Sequence, residues 1–348
     1  MKSFGYAAHD KSSPLAPFNF DRREPRPDDV VIAIDFCGIC HSDIHQVRDE
    51  WGGTSIYPMV PGHEIVGRVT AVGNKVEKFN VGDLAGVGVT VETCMKCENC
   101  LAGEEPYCTR GMVGTYNARD YEGDITYGGY ADNIVAPEHY VYSISPKLNF
   151  AAVAPLLCAG ITTYSPLRHW KAGPNKKVGV VGLGGLGHMA LKFAHAFESY
   201  VVQFTTSEDK INDALKLGAD EVVISRDAAH MAKHAGTFDL IIDCVSAPHD
   251  IEAYLKLLRL DGTLCLVGLP EQPVIISPFT IITNRRSFSG SMIGGMKQTQ
   301  EMLDYCAEKN IVAEIELIGY DRLAEAYARV VKSDVKYRFV LDNKSLKP

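Results

Sequence analysis

From Lys177 onward the chain follows a rhythm that few folds can accommodate. An apolar run, Val178–Val181, meets the glycine turn Gly182-Leu183-Gly184-Gly185-Leu186-Gly187, and a helical pattern then runs from about Leu186 to Phe197. Strand-like segments recur near Val201–Phe204, Glu221–Ile224, Leu240–Asp243 and Leu264–Val267. Helical stretches separate them, Ile211–Leu217 and Ile251–Leu258 being the clearest. Parallel strands need a crossover between them, so strand–helix alternation predicts a parallel, doubly wound sheet. A GxGxxG run is common by chance, but one that joins a strand to a helix is specific for dinucleotide binding. Its glycines permit the tight turn and bring a pyrophosphate close to the helix N-terminus. Gly182, Leu183, Gly184, Gly185, Leu186 and Gly187 are therefore candidate cofactor-binding residues.

The N-terminal part reads differently. Residues 28–88 set short β-branched runs (Val30-Val31-Ile32, Ile65–Val69, Val87-Gly88-Val89) between glycine turns, a spacing that suggests a barrel or sandwich. With 348 residues the chain exceeds what one core usually supports. Two domains are expected. After Ser289 come more helix (Gln298–Lys309, Arg322–Lys332) and a last strand (Tyr337–Leu341), so the tail can return to the first domain. The expected division is 1–150 with 290–348, and 151–289 as an insert.

Ten cysteines would suggest disulfides in a secreted chain, but here they cluster, which points to metal or catalysis first. Cys94-Met95-Lys96-Cys97-Glu98-Asn99-Cys100 is followed after a short interval by Cys108. Four thiolates so spaced can close a tetrahedral zinc site within one loop, and four thiolates leave no open position. A ferredoxin run would bring the fourth cysteine sooner, followed by proline. A second set is dispersed: Cys40-His41-Ser42-Asp43-Ile44-His45, then Gly62-His63-Glu64, then Leu157-Cys158-Ala159-Gly160. Two thiolates and one imidazole with a free fourth position make a catalytic zinc arrangement, the ligand set recorded for alcohol dehydrogenase. Cys37, which forms a CxxC with Cys40, ends a β-rich run and is expected in the core, as are Cys244, Cys265 and Cys306. His188 and His195, on the helix after the glycine turn, pair with no cysteine motif and are expected to be structural.

Taken together, these motifs resemble the zinc-containing medium-chain dehydrogenase/reductase family. Gly38-Ile39-Cys40-His41-Ser42-Asp43, Pro61-Gly62-His63-Glu64 and Cys158-Ala159-Gly160 are similar to its cinnamyl-alcohol-dehydrogenase-like branch. So are Ser291-Met292-Ile293-Gly294 and Tyr337-Arg338-Phe339-Val340, so the resemblance covers essentially the whole chain. It implies a GroES-like β-barrel catalytic domain with an inserted Rossmann domain, two Zn2+ per chain and usually a homodimer. Carried over by residue, Cys40, His63 and Cys158 ligate the catalytic zinc, with Glu64 able to exchange into its shell. Asp43 orients His63, as ligating imidazoles require. Ser42 and His45 match a proton relay, and Arg338 matches a cofactor-binding position.

The reaction that follows is hydride transfer between a nicotinamide dinucleotide and an alcohol–aldehyde pair, with the cofactor carrying the hydride. NAD-binding folds usually end the second strand in an acidic residue. Here that strand ends in Thr205-Thr206-Ser207, with Lys210 close behind, which predicts NADP(H). Glu208 and Asp209 temper this, but they begin a predicted helix, where the dipole favours acids. The same resemblance places Trp51, Val113 and Met292 approximately at pocket positions of the branch, which implies an apolar pocket for aromatic and medium-chain aliphatic substrates.

A polyol or secondary-alcohol dehydrogenase on the same scaffold is the nearest rival. A non-catalytic zinc module would have no use for the open ligand set, and a zinc-free quinone reductase would lack both cysteine sets. The net charge of −8, with no basic block, disfavours nucleic acid. No apolar run reaches the ~18–20 residues of a membrane span, and the N-terminus lacks a signal-peptide core, so a cytoplasmic enzyme is expected.

Overall fold

The computed structural model describes residues 1–270 and 272–347. The chain divides into two compact units, Met1–Cys158 with Gly294–Pro348, and Ala159–Ile293.

The first unit is organised around one long strand, Asp29–Ile39. Val30, Ile32 and Ile34 point to one face at period two and are buried together with Ile65, Val69, Ala85, Val87 and Ile134. Full burial of each such side chain contributes about 1.5–3 kcal/mol. The strand pairs antiparallel with Ile65–Val72, with Asn133–Pro137 and, through its last residues, with Arg338–Asp342. Two register shifts bend it, between Val31 and Ile32 and between Ile34 and Phe36. Together with Leu84–Val87, Val141–Ser143 and Ile315–Ile318 these strands form one seven-stranded sheet. Cys37 is fully buried in that core. The return of Arg338–Asp342 to this sheet joins the C-terminal segment to the N-terminal one.

The second unit is a six-stranded, all-parallel sheet. Its order is Glu221–Ile224, Tyr200–Thr205, Lys177–Val181, Phe238–Asp243, Leu258–Leu266, Ser287–Gly290. In chain order this is 3-2-1-4-5-6, the doubly wound arrangement. The strand order reverses beside Lys177–Val181, the strand that feeds the glycine turn.

Two elements differ from the sequence pattern. The helix expected over Ile251–Leu258 ends at Leu255, and a strand begins at Leu258, where it pairs with Phe238. Leu257 and Leu258 are buried in both readings, so apolar periodicity alone does not mark the change. The edge strand Ser287–Gly290 is polar and carries no alternating pattern, because only one side of it meets the sheet. No single helix among the described residues is long and apolar enough to cross a membrane.

Candidate active site and metal centres

The long strand ends at Ile39, and the helix His41–Val47 starts at once, with Cys40 at its N-cap. Asp43, in the first turn of this helix, has no solvent exposure and is saturated with donors. Its Oδ2 accepts from the Cys40 backbone N–H at 2.9 Å and the Tyr130 hydroxyl at 3.1 Å. Its Oδ1 accepts from the Gly62 N–H at 3.2 Å and is 3.0 Å from His63 Nδ1. A carboxylate on Nδ1 fixes the tautomer and leaves Nε2 free as a ligand atom. One buried side chain thus sets both the Cys40 backbone and the His63 ring.

Cys158 follows the short helix Ala154–Leu157, and its Sγ lies 3.9 Å from Cys40 Sγ. The ligand atoms of Cys40, His63, Glu64 and Cys158 all lie within 4.8 Å of one another, and all four residues are buried. The shared contact with Cys158 holds the Cys40 thiol well below its ordinary range, helped by Arg338 and His63. Both Glu64 oxygens are buried without a hydrogen-bond partner. Arg338 Nη2 is 3.3 Å from Glu64 Oε1 and Nη1 donates to the Ile39 carbonyl at 3.4 Å. Burial pushes the Glu64 carboxyl up to about 7, with Arg338 opposing. Gly38 makes room for this carboxylate, since a Cβ there would lie 2.0 Å from Glu64 Oε2. A buried carboxylate with open lone pairs beside two close thiols is what a divalent ion would satisfy. The residues fit zinc.

Ser42 and His45 share one face of the same short helix, three positions apart. His45 Nδ1 is 2.6 Å from Glu50 Oε2, and its ring is stacked between His41 (4.6 Å) and Trp51 (5.1 Å). Trp51 is therefore a wall for His45 as well as a partly exposed apolar surface. Val113, expected on a pocket, is only 5% exposed and belongs to the hydrophobic core of its unit. Met292 falls in the other unit, and is 43% exposed.

The second cluster lies in the loop that carries the helices Glu98–Leu101 and Glu105–Tyr107. The sulfurs of Cys94 and Cys97 are 3.9 and 3.4 Å from that of Cys100. All ten cysteines are free, so these sulfurs are near but unbonded. Tetrahedral Zn–S bonds of ~2.3 Å separate sulfurs by about 3.8 Å, which the 3.4 and 3.9 Å separations bracket, and all four sulfurs, Cys108 included, lie within 4.8 Å of one another. Backbone N–H groups of Cys97 and Cys94 already donate to Cys94 Sγ (3.3 Å) and Cys108 Sγ (3.4 Å). Amide bonds from Cys100 and Thr109 pull the Cys97 thiol down to about 5. Glu105, buried in the same loop, accepts from Met296 N–H at 3.0 Å and so caps the helix Met296–Lys309.

In the second unit the chain leaves Val181 through Gly182, at φ +85°, and starts the helix Gly187–Ala196. A Cβ at Gly187 would lie 2.0 Å from the Gly182 carbonyl, whereas one at Gly184 would meet nothing within 4 Å. The turn is closed towards the sheet and open at Gly184, which fits a pyrophosphate. Thr205 is the last residue of its strand, and its Oγ1 accepts from Ser207 N–H at 3.2 Å. Thr206 is exposed and Ser207 half-buried. Lys210 Nζ donates to the Leu183 carbonyl at 3.1 Å, which puts the cation on the glycine turn itself. The Ser207 hydroxyl donates to Asp209. His188 is buried, with Nδ1 3.2 Å from the Gly184 carbonyl. Sequence reasoning passed over Tyr130, whose hydroxyl holds Asp43, and the pair of Asp243 with His249 at 2.8 Å. Neither lies in a spaced motif, so no local signal marks them.

This combination of a β-rich unit carrying two thiolate clusters and a doubly wound unit with an open glycine turn defines a zinc-binding dehydrogenase. The alcohol dehydrogenase GroES-like domain matches residues 26–146, and the zinc-binding dehydrogenase domain matches residues 185–308. The chain is 57% identical to aldehyde reductase YahK of Escherichia coli, over 99% of each chain. It is 54% identical to NADP-dependent alcohol dehydrogenase C 1 of Mycolicibacterium smegmatis, over 98% of each. A cinnamyl alcohol dehydrogenase of Sorghum bicolor superposes with a TM-score of 0.97 at 44% identity, covering 100% of this chain and 99% of that one. The chain belongs to the zinc-containing medium-chain dehydrogenase/reductase family, in its cinnamyl-alcohol-dehydrogenase-like branch. Its β-rich unit is the GroES-like domain and its doubly wound unit the Rossmann domain.

Proposed function

We propose that this chain is an NADP(H)-dependent alcohol dehydrogenase and aldehyde reductase for aromatic and medium-chain aliphatic substrates. The observation that carries the reading is the buried group of Cys40, His63, Glu64 and Cys158, with His63 held by Asp43. In that group Cys40, His63 and Cys158 would hold the catalytic zinc, and Cys94, Cys97, Cys100 and Cys108 the structural one. Bound there, zinc supplies Lewis acidity that stabilises negative charge on the reacting oxygen, and the nicotinamide supplies or takes the hydride.

The rest is the work of the chain's own residues. Asp43 keeps the His63 ring in place through Nδ1. Arg338 neutralises Glu64 and keeps it at the edge of the ligand set, poised to enter it. The Ser42 hydroxyl hands a proton to or from the substrate oxygen, and His45, polarised by Glu50, carries it towards solvent. Gly182–Gly187 cradle the pyrophosphate. Thr205, Thr206, Ser207 and Lys210 would hold a ribose 2′-phosphate, which a carboxylate in their place would repel. Trp51, partly exposed in the GroES-like domain, offers apolar surface to the substrate; Met292 is exposed on the Rossmann domain, and Val113 is buried in the core.

We assign a homodimer to the enzyme. The edge strand Ser287–Gly290 has one unpaired side, and the segment before it exposes Ile275, Phe279 and Ile282 (89%, 74% and 69%). We place the enzyme in the cytoplasm, because ten free cysteines, nine of them in metal-type clusters or buried, suit a reducing compartment.

The test is a substrate panel followed at 340 nm with NADPH and NADH. Turnover of benzaldehyde and medium-chain aldehydes with NADPH supports the assignment. A strong preference for glycerol or sorbitol over benzyl alcohol replaces it with a polyol dehydrogenase.

A further inference from the structure

A third group of ligand-type side chains lies in the Rossmann domain, and the chemistry described above uses none of it. Glu221, His230 and His234 place one ligand atom each within 4.8 Å of the others. Glu221 opens the edge strand Glu221–Ile224, and His230 lies on the following helix, Ala228–Ala232, capped by Asp227. His234 comes one turn later, its backbone N–H donating to the Met231 carbonyl at 3.0 Å. An i, i+4 spacing brings two imidazoles to one side of a helical turn. Their ring centroids are 6.1 Å apart.

His234 points to a ligand. The residue is only 5% exposed, and its buried Nε2 has no hydrogen-bond partner. That nitrogen lies 3.2 Å from Glu221 Oε1, close to the separation of two ligands on one ion with ~2.0–2.2 Å bonds. Glu221 and His230 are half-buried, so water can complete the shell. We propose that Glu221, His230 and His234 form a third metal site, for a divalent transition ion of the zinc type, which ties the edge strand to the helix that follows it.

The charged and titratable surroundings define what binding must do. Lys177 Nζ is 3.0 Å from His234 Nδ1, and the Tyr200 hydroxyl is 3.3 Å from Glu221 Oε2. An ammonium donating to Nδ1 leaves the imidazole proton on Nε2. For Nε2 to bind an ion, that proton must leave: Nδ1 takes a proton from Lys177, and the resulting amine accepts the Nδ1–H. The balance is one proton released per ion bound. Glu221 begins its strand while Ile224, paired with Thr205, ends it, about 10 Å away at ~3.3 Å per residue. The site is therefore at the end of the sheet opposite the cofactor turn, and turnover should not depend on it.

The experiment is calorimetric titration of Zn2+ into the enzyme already carrying its resident zinc, at pH 8, in two buffers of different ionisation enthalpy. One further equivalent per chain is expected, with release of about one proton. Glu221→Gln and His230→Ala, checked for wild-type melting temperature and turnover, should each weaken this equivalent by at least ~10-fold. Zn2+ should raise the melting temperature of the wild type and leave that of both variants unmoved. In Lys177→Met the proton release should disappear. Absence of a further equivalent, unchanged affinity in both variants, or binding without proton release in the wild type overturns the site.

Discussion

The His63 Nδ1 lies 3.0 Å from Asp43 Oδ1, and the same carboxylate receives the Cys40 N–H, so one side chain positions two of the ligands assigned to the catalytic zinc. Asp43→Asn replaces one oxygen by an amide N–H that faces donors, either Cys40 N–H and Tyr130 or Gly62 and His63. The expected result is a ~10–100-fold loss of zinc affinity or activity with the fold kept. Tyr130→Phe removes one of the four bonds, and should cost only about 1 kcal/mol of stability. Zinc content after dialysis against a chelator, beside kcat, checks both. Equal zinc retention by Asp43→Asn and wild type would show that the carboxylate does not orient the ligand.

The two thiolate clusters should respond differently to a single cysteine change. Metal analysis is expected to give two zinc ions in the enzyme as isolated. Cys97→Ser should lower melting temperature or yield, because structural zinc contributes directly to folding. Cys158→Ser should abolish turnover with the melting temperature little changed. One zinc per chain in the wild type would contradict the division into a closed and an open site.

Ser42 and His45 are separable although they share a helix face. Ser42→Ala should lower kcat by ~10²–10⁴-fold, the usual loss for a positioned proton-transfer group. His45→Ala should cost less, since solvent can replace an outer member of the relay. Because Trp51 stacks on His45 at 5.1 Å, this change should also raise KM for aromatic aldehydes. Wild-type kcat in Ser42→Ala across neutral pH would remove the serine from the relay.

In the proposed assignment cofactor choice rests on Lys210, whose Nζ donates to the Leu183 carbonyl of the glycine turn, and on Thr205. Lys210→Ala should weaken NADP(H) by roughly ten- to a hundred-fold, the worth of one charge-assisted bond to phosphate, and leave NAD(H) almost unchanged. Thr205→Asp should move the preference towards NAD(H). Equal kcat/KM for the two cofactors in the wild type, or a better value with NAD(H), would defeat this assignment.

The sequence carried the parts of this enzyme that are local. Cys94 to Cys108 lie in one loop, and the glycine turn lies between a strand and its helix, so spacing together with this local context points to their chemistry. The ligands assigned to the catalytic zinc, Cys40, His63 and Cys158, come from three separate segments, so their spacing does not join them; their residue types match a known ligand set and the resemblance assigns them. The Arg338–Glu64 pair, and the room that Gly38 leaves for that carboxylate, depend on the C-terminal strand pairing with the long N-terminal strand. No local pattern encodes such a contact. Val113 shows the opposite error, since an apolar residue that aligns with a pocket position is here buried in the hydrophobic core of its unit. The strand Ser287–Gly290 escaped because an edge strand needs no apolar alternation.

The central claim is that hydride transfer requires zinc on Cys40, His63 and Cys158. The direct measurement is NADPH-dependent reduction of benzaldehyde at 340 nm, before and after graded chelation and after zinc is restored, in wild type and Cys158→Ser. The account predicts that wild-type activity falls in step with loss of one zinc per chain, returns with zinc, and never appears in Cys158→Ser. Full turnover by wild type stripped of that zinc, or by Cys158→Ser, would contradict it.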